Sequence, residues 1–568
     1  MAAVNGTTAK EHVASMQVLI NGAELDPTFR ALLTEVKVVD SLTLPDMALV
    51  RISDQKGENI DKSPLQLGAK IEIKAGQMAD RSTASIFKGQ IAAVEPEFTP
   101  SGVVLSARAY DEAHKLNREK KTRTFQQMSA SNMAQKVAGE SGIAIGEIKS
   151  TSVVHEFFQQ SNETDWAFLW RLAMMHDYEV VVADNKFNFR PANVAGGSAT
   201  EVRWGDTLQT FRPRMSGIQQ VNEVEVRAWD PKTKKVVNGS AKSPQTTSQP
   251  GVARSKVAAD LGGGKTVVTD RPAATTAEAN EIAKATLQRM ADAYFEADGV
   301  ARGNPAIKAG SKLKIAGVGE KFGGEFTISS STHSYHGHRG YQTSFQISGR
   351  SSRTLTELIR PPADREWASS GIVVGVVTNN NDPEQRGRVR VKYPSLSDKE
   401  ESAWAPIATA ASGNARGLLM LPQPDEEVVI GFEHGDSRRP IVLGSTFNGK
   451  DKPGPDLLQN RDGSFAVLSD EKIHQHSKKD FEIKSDQKMI VEIKQDEKTT
   501  VQGKSEHTTT GSNTQKAQTF TVEAGSSMTV KGVSVTVEAS AALTLKGATV
   551  DIQGSGPVSI KGAIINIG

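Results

Sequence analysis

Met528-Thr529-Val530-Lys531-Gly532 returns fifteen residues later as Leu543-Thr544-Leu545-Lys546-Gly547, and again as Val558-Ser559-Ile560-Lys561-Gly562. After each Lys-Gly comes a second apolar alternation: Val533/Val535/Val537, Ala548/Val550/Ile552, then Ala563/Ile565/Ile567. Glu538 to Ala542 and Gln553 to Pro557 read as turns between the copies, and a fainter copy keeps Lys516, Phe520 and Val522 in register. Strict alternation predicts strands with one buried face. The apolar parity changes at each Lys-Gly, which predicts one extra residue there, a bulge or bend that glycine tolerates. A fixed period with one apolar stripe predicts a stacked β-solenoid or β-helix. Each repeat supplies only about five apolar side chains, mostly small, which is too thin a core for one chain. The expected solution is three identical chains wound around one axis. The needle core is then Val530, Val533, Val535, Val537, Leu543, Leu545, Val550, Ile552, Val558, Ile560, Ile565 and Ile567. A solenoid closed within a single chain is the alternative.

From Phe465 to Gly568 there are 12 Lys, no Arg, 12 Asp plus Glu, no Trp or Tyr, and one Pro. That composition predicts a solvated, unbroken rod. The whole chain of 568 residues has length for roughly three to five domains. Its 68 Lys plus Arg against 66 Asp plus Glu leave a formal net charge of +2, so no basic excess points to nucleic acid. With zero Cys, disulfides and thiolate zinc sites are excluded. The first residues lack a basic start followed by a sustained apolar core, so no signal peptide is expected. No stretch approaches the roughly 20 apolar residues of a membrane helix.

Toward the N-terminus, Met16–Ile20, Val36–Val39, Ala48–Ile52, Lys70–Lys74 and Val103–Ala107 predict strands. In Ser129-Ala130-Ser131-Asn132-Met133 a serine is placed to cap a helix ending at Gly139 or Gly142. A second helix is expected over Thr164–His176, with Trp166, Leu169, Trp170 and Ala173 on its core face, and a hairpin around Asp184-Asn185. Ser, Gln, Pro and Gly make 239–264 look like a linker-like loop. Residues Glu278 to Ala297 predict one helix. Gly310-Ser311-Lys312-Leu313-Lys314-Ile315 echoes Gly68-Ala69-Lys70-Ile71-Glu72-Ile73, and Phe322 to Phe326 echoes Phe87 to Ile91. Two similar β-barrels in one chain are the expected cause. Six short strands between Gly371 and Gly449 suit a small Greek-key barrel of the OB type.

That last unit holds the most specific text: NNNDPEQRGRVRVKYPS, SAWAPIA and LPQPDEEVVIGFEHGDSRRPIVLGS. It closely resembles the OB domain of VgrG proteins and contractile phage-tail spikes. QQSNETDWAFLWRLAMMHDYEV is similar to that family's hub helix, and VRAWDPKTKK to a strand and turn of phage late-control proteins. The resemblance implies a mainly β chain with tandem β-barrels and a small α/β insertion, an OB-fold barrel and a C-terminal intertwined trimeric β-helix. The expected parts are a first hub barrel at 1–120, the α/β insertion at 121–200, a second hub barrel at 201–360, an OB collar at 368–450 and a needle at 462–568.

The same resemblance implies the function. A homotrimer with two similar barrels per chain offers a pseudo-sixfold face to a hexameric inner tube protein. Baseplate proteins surround it, and the needle meets the target cell envelope transiently. A PAAR-repeat tip protein is expected at Ile564, Ile565, Asn566, Ile567 and Gly568, whose strand edges invite pairing by another chain. Only Lys450 to Asn460 lies between collar and needle, without room for the lysozyme domain of some family members, and the chain stops at Gly568, inside the third repeat. The setting favoured is a phage-tail-like particle, assembled in the cytoplasm without a signal peptide and released to the outside, with type VI secretion and a true phage as the open alternatives.

Chemical sites are sparse. His474-Gln475-His476 on a strand points two imidazoles one way, and threefold symmetry would gather six, enough for iron. Its position at the needle's base favours solvated histidines. His336-Gly337-His338 falls in a loop, and Asp425-Glu426-Glu427 in a turn where solvation explains it. Gly262-Gly263-Gly264-Lys265 lacks the spacing of a phosphate loop. No nucleophile constellation is found, so neither catalysis, metal nor cofactor is expected. The competing function is an envelope-degrading enzyme or glycan-binding tail fibre on the same scaffold.

Overall fold

The computed structural model describes residues 14–568 apart from 78–81, 193–197, 219, 245–248, 338, 349–370, 396–399, 415, 418, 453–457, 460–464 and 469–472. The expected boundaries at 360, 368 and 462, and His338, fall outside the described residues. The chain divides into two units, Met1–His476 and Ser477–Gly568.

The first unit is mainly β. Its largest sheet runs, strand beside strand, Leu208–Met215, Phe295–Arg302, Gly340–Ile347, Ser330–His336, Leu33–Ser41, Met47–Asp54, Gly102–Tyr110, Ser82–Thr99, Lys70–Gln77, Ala14–Ile20 and Ala23–Glu24. Leu33–Ser41 and Ser330–His336 pair antiparallel, so strands from both halves of the expected tandem share one continuous sheet. Alternation explains these strands: Val36, Val38, Ala48, Val50 and Ile52 are buried while their neighbours are not, a period of two.

The echo between the halves is visible in hydrogen bonds. Gly68 N–H donates to Ile91 O, Ile91 N–H to Ala69 O, and Ala69 N–H to Gln66 O; Gly310, Ile328 and Ser311 repeat this with Ile328, Ser311 and Lys308. Both glycines sit at left-handed φ, +83° and +79°, where a side chain would be strained. The second strand of the echo registers two residues away from the sequence alignment. Lys70 faces Gln90, but Lys312 faces Thr327 rather than Glu325.

Among the described residues five α-helices complete the unit: α1 (Pro27–Ala31), α2 (Ala130–Glu140), α3 (Asp165–His176), α4 (Arg254–Asp260) and α5 (Thr276–Asp292). Ser129 caps α2 through Asn132 N–H, and Thr164 caps α3 through Ala167 N–H, as serine and threonine do. Asp184 and Asn185, at φ 49° and 61°, turn the hairpin Tyr178–Ala183/Lys186–Pro191. On α3 the fully buried side chains are Phe168, Leu169, Leu172 and Ala173, with Trp166 at the edge and Trp170 only half-buried.

Two expectations need correction. Residues 239–264 are not a bare loop, because they hold the end of strand Lys235–Ala241, strand Gln249–Pro250 and α4. Ala258 is buried, and Gly262 and Gly263 end α4 at positive φ. Helix α5 stops at Asp292 instead of running to Ala297. From Phe295 the period changes to two, with Phe295, Ala297 and Ala301 buried and the strand paired on both edges.

Val373–Asn379, Arg390–Lys392, Glu427–Phe432 and Pro440–Ser445 form a four-stranded sheet. Isolated bridges tie in Ala405 and Ile407, and the core holds Val377, Val389, Val391, Tyr393, Ala405, Val428, Ile430 and Val442. This is the OB-type barrel.

The second unit contains no strand pairing and no buried side chain among its described residues. A solenoid closed within one chain is therefore absent. The unit is nevertheless regular. Bends fall at 478–479, 486–487, 494–495, 502–503, 510–511 and 518–519, one every eight residues. They continue at 525–526, 533–534, 540–541, 548, 555–556 and 563, two per fifteen residues. The bends at 533–534, 548 and 563 directly follow the three Lys-Gly pairs. Exposure repeats too: 63, 64 and 65% at Val530, Leu545 and Ile560, and 54, 50 and 48% at Val535, Val550 and Ile565.

Candidate functional site

The residues that carry the sequence resemblance converge on one joint, between the OB barrel and the elements that precede it. Its centre is Arg438, from the EHGDSRRP turn. The guanidinium donates to Glu278 Oε1 of α5 at 2.6 Å and to Asp436 Oδ2 at 2.7 Å, and reaches Pro272 O at 3.5 Å. It lies 5.2 Å from the ring centre of Phe158, which also has the Arg171 guanidinium of α3 at 5.0 Å. His155 Nδ1 is 3.4 Å from Arg438, and the His155 and His176 rings are 5.9 Å apart.

Three further contacts surround that centre. Arg439 donates to Trp229 O at 3.2 Å, and Lys232 pairs with Glu384 at 2.9 Å, so the VRAWDPKTKK turn grips the barrel twice. Asp382 accepts the N–H groups of Glu384 and Arg386 and a bidentate pair from Arg388 at 2.7 and 2.9 Å, which shapes the NNNDPEQRGR loop. Glu400 accepts Thr124 N–H at 3.0 Å.

Electrostatics match this geometry. Burial alone would raise Glu278 and Asp436, but the Arg438 charge and the hydrogen bonds they accept together outweigh it and hold both carboxyls below their ordinary values. Arg438 is raised in turn by its two carboxylates. Burial, and then the Arg438 charge, push His155 down to about 4; burial and then His155 do the same to His176. A neutral histidine pair beside a fixed ion triad moves no proton near neutral pH. The arrangement cross-braces the barrel.

The other sequence-flagged residues stay apart from this joint. His474 and His476 lie on the exposed strand Ile473–His476, paired with Phe465–Leu468. His336 Nε2 faces Glu35 at 3.8 Å. Glu426 accepts Gln423 N–H at 2.9 Å, and Asp425 sits in the turn at φ 73°. Lys265 is engaged by Glu223 and Glu225. Among the described residues no group of three metal-ligating side chains exists within one chain, and no helix is long and apolar enough to cross a membrane. All twelve needle-core residues are exposed in the single chain, as are Ile564 to Gly568. Sequence reading missed Glu278, His155 and His176, because their partner lies far away in the chain.

A mainly β chain with an OB barrel braced onto α5, Phe158 and the Trp229 turn, and a bent, apolar-striped C-terminal unit, has the parts of a spike-type protein. Residues 10–336 match the family model described as the Alg8 N-terminal domain, and residues 373–447 match the type VI secretion system/phage-baseplate injector OB domain. The chain belongs to the Alg8 N-terminal domain family, and it carries an injector OB domain and is similar to VgrG spike proteins. It is 25% identical over 175 residues to the type VI secretion system spike protein VgrG5 of Pseudomonas aeruginosa, covering 27% of this chain and 22% of that one. It is 26% identical over 127 residues to the actin cross-linking toxin VgrG1 of Vibrio cholerae, covering 18% and 12%. The chain thus spans less than a quarter of these relatives' length. An Escherichia coli type VI secretion component superposes with a TM-score of 0.46 at 14% identity, covering 77% of this chain and 100% of that one. A prophage tail protein from Shewanella oneidensis gives 0.46 at 13%, covering 59% and 98%.

Proposed function

We propose that the chain is the non-enzymatic, trimeric hub and spike of a contractile injection machine. The observation that carries this is the second unit: regularly bent, apolar along one stripe, and wholly exposed in one chain. Exposed apolar surface of that extent calls for a partner, and an identical stripe on two further copies matches its period. In this reading the two echoed hairpins per chain give three chains six similar faces, suited to a hexameric inner tube. The Arg438 joint passes axial load from the tube side through the OB collar, inside a baseplate, into the needle. Ile564 and Ile567, 81% and 90% exposed, offer apolar surface to a PAAR-repeat tip protein. The machine is a phage-tail-like particle, and the envelope is met only during injection.

Two assays test this reading. Deleting Ile564–Gly568 should leave the trimer folded but remove a co-expressed tip protein in a pull-down. Unchanged capture would contradict the docking. Purified chain incubated with peptidoglycan should release no soluble fragments, and release would favour the enzyme reading.

A further inference from the structure

The eight-residue bend spacing assigns a face to every side chain between 478 and 519. Eight is even, so one parity keeps one face from segment to segment. Outside the bends, every charged residue from Asp480 to Lys516 except Glu497 has an even number. The ion pairs Lys484–Glu482 at 2.9 Å and Lys504–Glu506 at 2.5 Å run along that even face. The odd face carries Phe481, Ile483, Met489, Val491, Ile493 and Val501. His507 stands on this odd face, at the place held one segment after another by Ile483, Val491 and Thr499. A side chain there faces the axis once three copies close.

We propose that three His507 imidazoles, one from each copy, hold a divalent transition-metal ion on the needle axis. This rests on the trimeric reading above, and the site is incomplete in one chain. Three imidazoles bring their ring nitrogens together, with only hydroxyl and amide side chains, Thr499 and Gln515, at the equivalent places on either side. Leaving such nitrogens in an enclosed core without a counterpart is unfavourable. A zinc-class ion takes three imidazoles and keeps a fourth position for water. The odd face between 480 and 517 has no Lys or Arg and one carboxylate, Glu497, so its charge favours a cation over an anion. The ion would tie the polar middle of the needle together where apolar contacts are few, and its binding would couple to assembly.

The test uses the full chain, stripped with chelator and titrated with Co²⁺, reading visible d–d absorbance and, by light scattering, the mass. The expected result is one Co²⁺ per three chains, displaced by Zn²⁺. It should survive in a His474→Ala/His476→Ala double variant and weaken at least about tenfold in His507→Gln of unchanged mass. A wild-type trimer without stoichiometric Co²⁺, or one whose Co²⁺ survives His507→Gln, overturns this site and leaves the trimer standing. A monomeric wild type removes both. If His507→Gln fails to assemble, the stoichiometry of wild type and of the double variant decides.

Discussion

Arg438, from the collar, reaches Phe158 just before the stretch that resembles the hub helix and Glu278 of α5, and both of its carboxylate partners are largely buried. Removing it leaves Glu278 and Asp436 buried without a counter-charge, so Arg438→Met should cost about 3–5 kcal/mol. Arg438→Lys should rescue little, because an ammonium cannot make the bidentate pair or lie flat over Phe158. A loss of unfolding free energy smaller than about 1 kcal/mol, read from the urea transition, would show the brace to be idle. The EHGDSRRP text was legible as a family mark. Its partner was not, because nothing local links Arg438 to a glutamate 160 positions earlier.

Two buried groups of residues set opposite pH responses. Burial pushes Asp40 up to about 6 and Asp111 up to about 7, and burial together with the charges of Asp40 and Asp111 also raises Asp46. Folded pKa values above the unfolded ones mean a contribution fully present below pH about 4, and lost as pH rises through 6 and 7. Asp46→Asn should therefore raise the melting temperature at pH 8 and change it little at pH 4. The reverse pattern would contradict the assignment. His155 and His176 titrate below their unfolded value, so their contribution is present above pH about 6.5 and lost as pH falls toward 4.

At the scale of elements, Gly239 shows how closely α5 packs on its sheet. A Cβ there would meet Ala279 C at 2.3 Å and Asn280 N at 2.4 Å, both main-chain atoms. Gly239→Ala should push the helix away and cost about 1–3 kcal/mol, read as a drop in melting temperature; no change would mean the helix moves freely. The alternating strands and capped helices were legible because their signals are local. The end of α5 was misread because Ala291 to Ala297 satisfies both periods, and pairing with Gly340–Ile347 decides it. In the needle, the fifteen-residue period was plain in sequence. The eight-residue spacing before it was hidden by polar residues at 495–519, and only the backbone bends reveal it. Val535→Asp, Val550→Asp or Ile565→Asp should each cripple assembly by gathering three carboxylates on a dry axis. Outward Thr536→Asp should be mild. Equal losses at both parities, measured as assembled fraction, would reverse the facing.

For the whole molecule, one chain explains the first unit but leaves the second without a core. Apolar side chains that are half to fully exposed along some ninety residues, 477–568, are compatible with a stable rod only when shared. The OB barrel and the β-rich first unit could be read from periodicity and from a few motifs. The fusion of two echoed halves into one eleven-stranded sheet could not, because strand neighbours far apart in sequence leave no local trace. Light scattering on the purified full chain tests the central claim most directly. Three chains per particle are expected at every concentration, with slow unfolding and detergent resistance from the interwound strands. A particle of one chain mass with a cooperatively folded residue 477–568 segment would contradict it.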